Sequence, residues 1–129
     1  MKEQESPAKK LKEFLDFVSE CEQAYKAAGE AVRQEDLKLQ DLLHAMEFAE
    51  NREERNRVAT KLQHSRKLRR EYKYTLKLME QIVKFFEEAG NRSTLKRLGQ
   101  LLGRQRTEEQ YLYGERIYKP RAGNQEVGK

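Results

Sequence analysis

A run of 37 residues without glycine or proline, Glu53 to Ala89, constrains this chain more than any other feature. Within it, side chains suited to burial return in alternating steps of three and four. One series occupies positions 55, 62, 69, 76 and 83, and the other 58, 65, 72, 79 and 86. In chain order they read Arg55, Val58, Leu62, Ser65, Arg69, Tyr72, Leu76, Met79, Val83 and Phe86. That alternation describes a long helix packing along a seam. At 1.5 Å per residue the run is a rod of about 55 Å. Its seam is apolar in the second half and partly polar in the first, at Arg55, Ser65 and Arg69.

Composition extends this reading to the whole chain. Ala, Glu, Lys, Leu and Arg fill 71 of 129 positions, as in long helices and coiled coils. Val, Ile and Thr are sparse, which argues against strands. Apolar surface suffices for a slim bundle, and slim bundles complete their burial by oligomerising. A homodimer is therefore expected. The single cysteine, Cys21, cannot form an internal disulfide, which points to an intracellular chain. Met1 to Lys10 is charged with no apolar stretch behind it, so it does not read as a signal peptide. No segment approaches the 18 or so consecutive apolar residues of a membrane span.

Taken in order, Ser6-Pro7 suits a helix start, with Ser as N-cap and Pro at the first helical position. Leu11, Phe14, Val18, Cys21, Tyr25, Ala28 and Val32 then mark a first amphipathic helix. Gly29 within it costs about 1 kcal/mol. Gln34-Glu35-Asp36 could bend or break this helix, yet the same phase continues through Leu39, Leu42, Met46 and Ala49. Both a bend at 34–36 and one helix over 7–50 are open. The phase shifts at Glu50-Asn51-Arg52, read as a turn or stutter, and the second helix follows at 53–89. Gly90 suits a left-handed C-cap, and Asn91 or Ser93 a cap for a third helix over 92–115. Its seam is Leu95, Leu98, Leu102, Gln105 and Leu112, with Gly99 and Gly103 allowing close approach to the central helix. The expected fold is all-α: an elongated antiparallel helical hairpin or three-helix bundle with coiled-coil-like heptads. Residues 1–118 form a single helical domain in this reading, and 119–129 a flexible tail.

Charge is divided unevenly along the chain. Residues 1–54 carry 8 basic and 14 acidic side chains, and residues 55–129 carry 19 and 8. The basic excess gathers on one face of the central helix. Arg66, Arg70, Lys73, Lys77 and Lys84 follow at spacings of 4, 3, 4 and 7, with Arg69 beside them. A rigid row of cations matches the regular charge of a nucleic-acid backbone. The competing reading is a wet flank that pairs with Glu13, Asp16, Glu20 and Glu30 of the first helix. At the C-terminal end, Tyr111, Tyr113, Arg116, Tyr118 and Arg121 interleave aromatics with cations. These can stack on unpaired bases and hold phosphates, or dock the tail with hydroxyls at the water boundary. Polar seam residues can fix register and oligomer state, or leave that half of the helix uncovered for a partner.

Enzyme chemistry finds little support. His44 and Glu47 lie three apart in the reverse of the di-metal helix motif, and once only. His64 has no acid or nucleophile partner nearby in sequence. There is no phosphate-binding glycine loop, zinc spacing or nucleophile motif. Cys21 sits in an apolar seam, as packing cysteines do. No catalytic residue, metal site, cofactor or small-molecule substrate is assigned.

Three stretches carry a family likeness: Asp41-Leu42-Leu43-His44-Ala45-Met46-Glu47-Phe48, Arg66-Lys67-Leu68-Arg69-Arg70-Glu71-Tyr72-Lys73, and Tyr118-Lys119-Pro120-Arg121. Over roughly residues 35–121 the chain resembles small helical proteins of unknown function encoded by phages and prophages of Gram-positive bacteria. The resemblance implies a bacterial cytoplasmic setting and partners drawn from nucleic acid or host proteins. It carries over no catalytic or binding residue. The function expected is a non-enzymatic accessory protein that binds nucleic acid, or a nucleoprotein complex, through the basic helical face. The alternative is a coiled-coil protein-protein interaction module, such as an adaptor or inhibitor of a host protein, that meets an acidic protein surface.

Overall fold

The computed structural model describes residues 6–114, and helix covers all but seven of them. Three helices follow one another: α1 Pro7–Glu47, α2 Arg52–Glu87 and α3 Ala89–Tyr113. The fold is all-α, and no described helix is long and apolar enough to cross a membrane.

α1 starts where the sequence places it. The Ser6 hydroxyl accepts a hydrogen bond from the Lys9 amide at 3.0 Å, and Pro7 takes the position that needs no donor. The helix then runs unbroken through Gln34-Glu35-Asp36. Glu35 is 6% exposed and occupies a seam position, so its polarity marks a buried contact rather than a break. The turn expected at Glu50-Asn51-Arg52 lies at residues 48–51. Asn51 caps α2, its side-chain oxygen accepting from the Glu54 amide at 2.9 Å. The Glu54 carboxylate reaches back to the Glu50 amide at 3.0 Å. This reciprocal arrangement satisfies orphan donors of the first turn.

α2 and α3 are separated differently from the expectation. The break is the single residue Glu88, at φ −62° and ψ 133°. No described glycine has positive φ, so Gly90 is not a left-handed cap. Asn91 lies inside α3, and its side-chain amide donates to the Phe85 carbonyl at 2.8 Å. It thus closes the end of α2 rather than opening α3, by filling one of the carbonyls that a helix terminus leaves vacant.

The described chain divides into two compact units, one of residues 16–93 and one of residues 6–15 with 94–114. In the larger unit α1 and α2 run antiparallel, with Gly29 near Leu76, Glu35 against Ser65 and Asp36 against Arg69. Val18, Cys21, Ala28 and Val83 are its buried apolar residues. Every α2 seam position from Val58 to Phe86 is buried or half-buried, whereas Arg55 is exposed. Phe14, placed in the α1 seam by its spacing, is 42% exposed.

In the smaller unit Ala8 and Leu102 are buried together with Ser6 and Glu109. The α3 seam leaves the expected series here. Leu112 is exposed, and the position one turn after Gln105 is filled by Glu109. Its carboxylate accepts from the Ala8 amide at 2.8 Å and from the Gln105 side chain at 3.0 Å. Burial would raise the Glu109 carboxyl, but hydrogen bonds from Gln105, the Ala8 amide and Ser6 outweigh it and hold the group below its ordinary value. Gly99 and Gly103 face open space: a methyl group added at either Cα would meet no atom within 4 Å. They do not mediate a close helix approach.

Candidate nucleic-acid interface

The α1–α2 hairpin sorts the basic residues of α2 into two kinds. Arg69 turns toward the seam and donates from Nε to the Asp36 carboxylate at 2.5 Å, with both side chains half-exposed. Beside it the Ser65 hydroxyl donates to Glu35 at 2.6 Å in a buried contact, and Lys38 Nζ lies 3.4 Å from the other Glu35 oxygen. The two polar seam positions are therefore paired with acidic residues of α1. The third polar position, Arg55, is exposed.

Arg66, Arg70 and Lys73 are of the second kind. All three are exposed and have no hydrogen bond or ion pair among the described residues. Together with Arg69 they rim an open groove of about 610 Å³ whose floor is Leu39, Leu43 and Leu62. Lys77 continues the row and is felt by Glu80 through its charge. Lys84 closes the row in an ion pair with Glu80 at 2.8 Å. That carboxylate raises the Lys84 amine, and Lys84 in turn lowers Glu80.

The acidic residues of α1 neutralise only part of this face. Glu30 binds Arg33 of its own helix at 2.7 Å, which together with Gln34 lowers its carboxyl to about 2. Glu22 binds Arg92 at the start of α3. Of the acids expected to cover the stripe, Glu30 is thus committed elsewhere, and Asp36, which was not among them, reaches the row through Arg69.

A feature the spacing analysis passed over lies on the same helix. Tyr74, Leu78 and Phe85 are 70%, 60% and 53% exposed. They recur at four and seven residues, and at about 100° per residue they point opposite the seam. The Tyr74 side chain is flanked by Arg70 one turn before, Lys77 one turn after, and Lys73 as its neighbour. Their regular spacing was a readable signal, masked by the stronger seam pattern in which Tyr72 and Leu76 take the inward positions.

The tyrosines at the C-terminal end belong to the smaller unit. Tyr111 and Tyr113 are exposed. Tyr113 lines an open groove of about 870 Å³ with Lys9, Lys12, Arg106 and Leu112. Arg116, Tyr118 and Arg121 lie outside the described residues.

His44 sits 3.6 Å from Glu47 and packs edge-on against Phe48, with both polar groups exposed. Cys21 is buried in the seam. No protein-family profile, curated protein or solved structure matches the chain.

Proposed function

We propose that this protein is a non-enzymatic accessory protein of phage type that binds the phosphate backbone of nucleic acid through the basic face of α2. The observation that carries this reading is the unpaired trio Arg66, Arg70 and Lys73 on one side of a rigid helix. Steps of four and three residues set cations about 5 Å apart along the axis, of the same order as the charge spacing along a nucleic-acid strand. No base-reading module is present in the sequence, so binding is largely independent of base order. The proposal includes a homodimer, checked by the mass of the protein in solution.

The test is binding to labelled DNA and RNA across a salt series. Affinity should fall steeply, with a log–log slope of about −0.7 to −0.9 for each phosphate neutralised. Replacing Arg66, Arg70 and Lys73 together by Glu should abolish binding while the helical circular dichroism is unchanged. Arg69 is kept, because Asp36 holds it in the seam. Retained affinity in the triple variant would sink the assignment.

A second reading is supported by the leucine floor of the groove, Leu39, Leu43 and Leu62. An apolar floor with a cationic rim also suits an acidic amphipathic helix of a protein partner. Such binding would fall less steeply with salt than phosphate binding and would be lost on Leu43→Asp.

A further inference from the structure

We infer that the α2 face takes single-stranded nucleic acid, with Tyr74 and Phe85 as stacking platforms for unpaired bases. The inference rests on the nucleic-acid reading of the same face and names the form of strand it accepts.

Its basis is the company that Tyr74 keeps. The ring is 70% exposed and engages no hydrogen bond or ring contact among the described residues. Arg70 one turn before and Lys77 one turn after lie nearest it on the helix surface. A duplex offers its phosphates to such a row but keeps the faces of its bases stacked inside. A single strand presents both, and an exposed aromatic between cations engages the base while the cations hold the backbone.

A second exposed ring, Phe85, follows eleven residues on, about 16 Å along the axis, with Gln81 and Glu88 one turn away in place of cations. It lies next to Lys84, with Phe86 edge-on behind it at 5.1 Å. Leu78 fills the interval between the two rings with apolar surface. Three apolar side chains facing water opposite a complete seam are unfavourable surface for an isolated helix. Flat base faces cover such surface regardless of sequence.

The experiment compares a fluorescein-labelled oligothymidine of about twenty nucleotides, long enough to span both rings, with a duplex of the same length. Tyr74→Ala should weaken oligothymidine binding about tenfold or more, given the usual contribution of one base–aromatic stack. Tyr74→Phe should bind as the parent does, and duplex binding should be unmoved by either change. The chain has no tryptophan, so Tyr74→Trp introduces a single reporter. Its emission should be quenched by the oligothymidine and not by the duplex.

Unaltered oligothymidine affinity in Tyr74→Ala, or equal quenching by both forms, overturns the stacking inference and leaves the basic-face proposal standing. Absence of binding to any nucleic acid by the parent protein overturns both. Binding to phosphatidylserine vesicles without binding to either the oligothymidine or the duplex assigns the face to a membrane surface and overturns both as well.

Discussion

Each compact unit buries one carboxylate, and the two are used in opposite ways. Glu35 in the larger unit accepts from the Ser65 hydroxyl across the hairpin seam. Glu109 in the smaller unit accepts from the main-chain amide of Ala8 at the start of α1. The first ties side chain to side chain between two helix interiors. The second supplies an anion to a helix N-terminus, where unpaired amides and the helix dipole favour negative charge. The seam carboxylate's contact across the hairpin is a side chain, whereas the terminal carboxylate's contact to α1 includes backbone that any sequence provides. This difference predicts which substitutions are tolerated.

The largest expected effect is at the seam. Glu35→Ala strands the buried Ser65 hydroxyl and should cost about 1–3 kcal/mol in urea unfolding. The double change Glu35→Leu with Ser65→Ala removes both polar groups and should recover most of that loss. Equal destabilisation by the single and double variants would break the contrast.

The next effect is a local one at the α1 terminus, and it depends on pH. The Glu109 carboxyl is held below its ordinary value in the folded protein. Its contribution is thus fully present above the unfolded value of about 4.3, and it is lost as pH falls through the lowered folded value. Glu109→Gln should flatten this acid limb. Hydrogen exchange of the first turn of α1 should then speed up at neutral pH, with residues 16–47 of the same helix unaffected.

The smallest effect on folding separates two adjacent arginines. Arg69→Ala removes a half-exposed ion pair and should cost at most about 1 kcal/mol. Arg70→Ala should leave stability within about 0.5 kcal/mol and lower the salt slope of DNA binding by about one phosphate. Thermal unfolding and a salt titration on both variants check this division.

Much of the fold was legible because helix periodicity is a local signal. Val58 to Phe86 lie inward as their spacing requires, and Ser6-Pro7 and the turn near Asn51 are set by adjacent residues. What escaped was long-range pairing. Glu35 left a bend and a continuous helix equally open, because its acceptor role depends on Ser65, thirty residues away. Leu112 read as core, and nothing near Glu109 in the sequence marks its burial, because the amide that Glu109 meets lies 101 positions earlier. The single-residue break at Glu88 escaped since Gly90 and Asn91 gave a more familiar stop signal. At the candidate interface the row of cations was plain, but not that Asp36 would claim Arg69 and leave Arg66, Arg70 and Lys73 without acids. Tyr74 was overlooked because attention to the inward face hides what the outward face repeats.

The Ser65–Glu35 contact also favours one alignment of the two helices over others. Apolar seam positions of α2 recur at seven-residue intervals in the sequence, so a slide of seven would still set many apolar side chains against apolar side chains. A slide of that size would bring Glu35 opposite Val58 or the Tyr72 ring in place of Ser65. The buried carboxylate would then lose its hydroxyl donor and keep only Lys38 of its own helix, at a cost of about 1–3 kcal/mol. Misaligned hairpins would be disfavoured here and at the Asp36–Arg69 pair, while the apolar positions of the seam would have accepted them.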